Sequence, residues 1–120
     1  MAAHIIAQIH WNTKSEKFCR KSLGIFEMAI GKSLLNLQIE SYWKIKDHMV
    51  ATCHIAIEGQ SKADKVFEMV CIAQTLTKSV RGNWIFMGPE ENDQLEFECI
   101  FNAGHSEAQL PWAHLQFAAV

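Results

Sequence analysis

His4-Ile5-Ile6-Ala7-Gln8-Ile9-His10-Trp11 is the stretch whose reading decides the fold. Ile5, Ala7, Ile9 and Trp11 share one parity, and Gln8 and His10 share the other. Successive side chains of a strand point to opposite faces, so this alternation marks a strand with one face on a core and one towards water. The same period recurs along the chain. Leu35, Leu37, Ile39, Trp43 and Ile45 alternate with Asn36, Gln38, Glu40, Tyr42 and Lys44. Ala51, Cys53, Ile55 and Ile57 alternate with Thr52 and His54, and Leu95, Phe97, Cys99 and Phe101 with Glu96 and Glu98. Ala113, Leu115, Phe117 and Ala119 alternate with Trp112, His114 and Gln116, while Trp84 to Met87 is a shorter apolar run that reads as a sixth strand.

Two stretches break the alternation. Ser61-Lys62-Ala63-Asp64 offers an N-cap serine with an acid three residues on, close to a capping box. Val66, Val70, Ala73 and Leu76 or Thr77 then recur at helical spacing, widened by Phe67 and Ile72, and Arg81-Gly82 supplies the stop. The other helix runs from about Ser15 to Ile30, with Phe18, Leu23, Phe26 and Ile30 on one face and Gly31 able to end it. Lys46-Asp47-His48 reads as the turn between the second and third strands, and Gly88 to Asp93 as that between the fourth and fifth. The order is β-α-β-β-α-β followed by two more strands. The expected fold is α+β: one five- or six-stranded, mainly antiparallel sheet with two helices on one face and a ferredoxin-like start.

One hundred and twenty residues suit a single domain spanning 1–120. With 49% apolar and 20% charged residues, the chain has the composition of a globular protein and can fold without a metal or disulfide. The start lacks a basic segment, and no apolar run approaches the length of a membrane span, so a cytoplasmic protein is expected. Cys19, Cys53, Cys71 and Cys99 are scattered among apolar neighbours without a CxxC pair, and read as buried, reduced thiols.

Catalytic motifs are missing. The chain contains no HxxxH, HExxH, GxSxG, GxGxxG or GxxxxGK[ST] spacing. No catalytic residue, metal ligand or cofactor is therefore assigned, although His10, His54 and His114 would converge if their strands were neighbours. Charge is more informative. The chain up to Lys46 carries +4 and the remainder −6, with no Lys or Arg after Arg81. Glu90, Glu91, Asp93, Glu96, Glu98 and Glu107 follow that last base. Glu96 and Glu98 share a strand face, roughly 7 Å apart. Tyr42 and Trp112 fall on polar parities, where aromatic side chains suit partner binding, whereas Trp11 and Trp43 follow the apolar parity expected of the core. The candidate partner-binding residues are thus Tyr42, Glu90, Glu91, Asp93, Glu96, Glu98 and Trp112. The acidic balance argues against wide contact with nucleic acid.

In size, acidic second half and aromatic-plus-acid sheet face, the chain resembles bacterial immunity proteins of the contact-dependent growth inhibition type. The resemblance is one of format and carries over no residues. It implies a protein that neutralises a cognate toxin domain, often a basic nuclease, by covering its active site. Two alternatives stay open: a small ferredoxin-like enzyme or ligand-binding domain, and a homodimeric regulatory module pairing its sheets.

Overall fold

A computed structural model describes residues 3–88, 97–104 and 108–119. The chain runs β1 (Ala3–Trp11), α1 (Glu16–Ile30), β2 (Leu35–Ser41), β3 (Met49–Ala56), α2 (Lys62–Leu76), β4 (Asn83–Met87), β5 (Glu98–Asn102) and β6 (Trp112–Ala119). The strands form one open sheet in the order β2-β3-β1-β6-β5-β4, with every neighbouring pair antiparallel. Among the described residues no helix is long and apolar enough to cross a membrane.

The element order along the chain agrees with the sequence reading, but the ferredoxin-like strand order does not hold. In that arrangement β4 would return beside β1; here β6 takes the place and β4 lies at the far edge. The reason is visible in the register. β6 pairs with β1 from Ala3↔Ala119 to His10↔Trp112, whereas β4 is only five residues long. A long strand beside β1 satisfies backbone groups that a short one would leave unpaired in the middle of the sheet.

Both helices pack on the face that carries Ile5, Ala7 and Ile9 of β1. The Ser15 hydroxyl caps α1 by accepting from Phe18 N–H, and Gly31, at φ 68°, closes it in the left-handed conformation. Cys19, Leu23 and Phe26 face the core, so Cys19 takes the place expected of Phe18, which is partly exposed. Ser61 caps α2 through Asp64 N–H as its sequence suggests. The buried stripe of α2 is Met69, Ile72 and Ala73, with Leu76 packed against them, and Phe67 stands in solvent. So many positions of this helix are apolar that spacing alone does not choose between adjacent faces.

α2 also stops earlier than Arg81-Gly82. Thr77 caps it, with its hydroxyl donating to Ala73 C=O and accepting from Trp84 Nε1–H. Gly82 serves the next strand instead. A Cβ there would come within 2.4 Å of the Phe101 ring and 2.7 Å of Asn102 O, so only glycine lets the chain enter β4 this close to β5.

Core assignments are corrected at Leu35, Trp43, Ile45 and Cys71, all of them exposed. Trp11 is buried, but Trp43 is 84% exposed and Ile45 is exposed beside it. The β2–β3 ladder ends at the pair Ser41↔Met49, and residues 42–48 form a turn closed by Tyr42 N–H donating to His48 C=O. Alternation beyond the last ladder pair says nothing about burial. Cys71, expected inside, lies exposed on α2, while Cys19, Cys53 and Cys99 are buried.

Leu115 is fully buried between sheet and helices, and Leu115→Ala is expected to cost about 2–5 kcal/mol. Trp43→Ala should change stability by less than about 0.5 kcal/mol. Urea denaturation of both variants checks the pair, and a large loss for Trp43→Ala would contradict its exposed placement.

Candidate functional site

The helices cover one face of the sheet. The other carries the polar parities, and the register lines them up in rows. Glu40, Val50, His10, Trp112, Asn102 and Asn83 form one row across all six strands. Gln8 and His114 stand side by side in the next.

His10 is the centre of this face. Its ring meets Tyr42 and Trp112 nearly perpendicularly, at centroid distances of 5.0 and 4.8 Å. The turn after β2 folds back so that His48 also reaches it, with His10 Nδ1 2.9 Å from His48 Nε2. These rings surround a cavity of about 340 Å³, completed by Gln8, Ile45 and Pro111. Trp112 stacks on His114 at 5.9 Å, and His114 Nε2 lies 3.2 Å from a Glu98 carboxylate oxygen. Tyr42, His10, Trp112, His114 and Glu98 thus make one continuous ridge.

The hydrogen bonds define the protonation of the two central histidines. Asn12 donates from Nδ2 to Ala108 C=O at 2.7 Å, so its Oδ1 is an acceptor, and it lies 3.2 Å from His48 Nδ1. His48 therefore carries its proton on Nδ1 and offers Nε2 as an acceptor. His10 must then donate from Nδ1, which leaves His10 Nε2 with an unused lone pair. Burial, reinforced by the neighbouring His48, pulls His10 down to about 4 from the ordinary 6.5. Burial also lowers His48. Both rings are neutral near pH 7.

Of the seven residues expected to bind a partner, Tyr42, Glu98 and Trp112 come together on this ridge. Glu90, Glu91, Asp93 and Glu96 lie outside the described residues. His48 was missed, because the only local signal at Lys46-Asp47-His48 was a turn. His10 and His114 stand on adjacent strands, yet His114 turns to Trp112 and Glu98, and His54 instead meets His4 at 6.0 Å. Among the described residues no three His, Cys, Asp or Glu side chains are grouped to hold a metal ion. Burial raises the Cys19 thiol and pushes Cys53 and Cys99 up to about 11 and about 12, so these sulfurs stay protonated and poorly nucleophilic at neutral pH. A second cavity, of about 430 Å³, lies on the helical side between α1 and the end of α2, lined largely by Leu23, Ile25, Phe26 and Val80.

The His10 pair gives the fold a pH dependence of definite sign. A histidine whose folded value lies below its unfolded one stabilises the fold fully above about pH 6.5, and the contribution is lost as pH falls towards 4. Stability should drop by about 2 kcal/mol between pH 7 and pH 5, with His48 acting in the same direction. His10→Phe should flatten that slope. Urea midpoints measured across the range check it; an unchanged slope in the variant would place the titration elsewhere.

No family model, curated protein or solved structure matches this chain.

Proposed function

We propose that this chain binds another protein through the open face of its sheet, in the manner of an immunity protein that covers a cognate toxin domain. The observation that carries this reading is the aromatic ridge itself. Tyr42 and Trp112 flank His10 on the face of the sheet opposite the helices, and Trp43 projects beside them, its ring centroid 6.5 Å from that of Tyr42 and 5.1 Å from the Lys44 ammonium. Aromatic anchors clustered around a cavity are what protein interfaces concentrate their energy on.

The chain's charge points to a basic partner. All six acids after Arg81 come without a compensating Lys or Arg, and Glu98 joins the ridge at its β5 end. Steering by such acids speeds association and fades as the screening length falls from roughly 10 Å at 0.1 M salt to about 3 Å at 1 M. A nuclease domain, whose phosphate-gripping site is basic, fits that charge.

The reading requires a toxin gene next to the one for this chain, and co-expression of its toxin domain with the chain tests it. The wild-type chain should restore growth and co-purify with the toxin. Trp112→Ala and Trp43→Ala, each shown to be folded, should weaken binding by about 2 kcal/mol, mostly through faster dissociation. Undiminished killing, with no complex formed, would overturn the proposal.

A second reading, pairing of two copies, rests on β4. Ile85, Phe86 and Met87 are exposed on this edge strand, which carries no charged residue, and such an edge is a template for another strand. On this reading the chain sediments as a dimer that Ile85→Lys converts to monomer. A monomer at high micromolar concentration would dismiss it.

A further inference from the structure

We propose that the cavity between Tyr42 and Trp112 receives the phenol ring of a tyrosine presented by the protein partner, an inference that rests on the protein-binding reading. Its size is the first argument. About 340 Å³ accommodates one aromatic side chain, and the walls offer ring faces and edges together with Ile45 and Pro111.

The polar atoms narrow the choice. The relay from Ala108 through Asn12 and His48 leaves His10 Nε2 as the acceptor with which His10 can meet an occupant. Gln8, two residues away on the same face of β1, lines the cavity too, and among the described residues its side-chain amide has no hydrogen-bond partner. A phenol hydroxyl matches both groups at once, donating to His10 Nε2 and accepting from the Gln8 amide. An indole N–H only donates, and phenylalanine offers neither function. A lysine or arginine fits poorly, because the cavity walls contain no carboxylate to pair with it, and the adjoining hollow at the 42–48 turn sets two lysines, Lys14 and Lys46, against the single carboxylate of Asp47. Because His10 resists protonation at neutral pH, its lone pair stays available.

The test titrates the intact chain with N-acetyltyrosinamide and N-acetylphenylalaninamide, followed by amide and histidine side-chain NMR shifts. Saturable shifts at Gln8, His10 and Trp112 are expected, with the tyrosine analogue binding about 3- to 10-fold tighter. His10→Phe should erase that preference. If His10→Phe does not fold, Gln8→Leu, a half-buried position on the open face, should at least halve it. Equal affinity for the two analogues, no saturation with either, or a preference that survives both substitutions would overturn the proposal. A toxin that is not neutralised, together with an intact tyrosine preference, would remove the protein-binding reading while supporting the cavity's chemistry. Neutralisation without the preference would do the reverse.

Discussion

Everything in this molecule hangs on β1 being paired along both edges. Its backbone bonds to β3 from His4↔Ala56 to Trp11↔Met49 and to β6 from Ala3↔Ala119 to His10↔Trp112. A strand so placed contributes one parity to each side of the sheet over its whole length. Ile5, Ala7 and Ile9 therefore reach both helices, and Gln8 and His10 sit mid-sheet, away from either edge. A one-residue slip of this register would exchange the two sets and put both polar side chains into the core. The core and the ridge are in this sense the same decision.

That decision also explains why a histidine is buried without a charged partner. In the centre of a sheet, His10 loses water to Tyr42 on one side and Trp112 on the other. A cation there would be costly, so the ring stays neutral and its Nδ1 hydrogen bond is met by a second neutral histidine. His48 can serve because the turn carrying it is short and closed on itself by the bond from Tyr42 N–H to His48 C=O. The turn thus does two things: it places His48 under the ring of His10 and pushes Trp43 outward.

Much of this was legible in the residues. Period-two alternation located the strands, Ser15 and Ser61 stood at helix starts, and Gly31 ended α1, because each depends on neighbours a few positions away. Strand order was not legible. Whether β4 or β6 lies beside β1 depends on how many backbone groups each can satisfy, a property of strands more than a hundred residues apart in the case of β1 and β6. The same limit hid His48, whose role exists only once Lys46-Asp47-His48 is laid against β1. It also misplaced Trp43, since hydrophobic parity continues through a turn after the ladder that gives it meaning has stopped. Trp112 was identified correctly as a polar-face aromatic, whereas Tyr42 reaches that face from the turn beyond the ladder, and the sequence could not show that the two share His10.

The two outer strands are unequal. β2 is irregular: its register with β3 shifts between Leu35 and Gln38, and Asn36 takes a left-handed φ of 53°. β4 pairs with β5 without interruption from Asn83↔Asn102 to Met87↔Glu98. A kinked border resists a further strand, whereas a straight one accepts it. A further strand, if one were added, would therefore be expected at β4 and not at β2. Two molecules meeting at their straight borders around a two-fold axis would leave only irregular ones outside, and the assembly would be closed. In such an assembly the kink at Asn36 would act as a terminator, holding growth at two molecules where a second straight border would let it run on into a fibre.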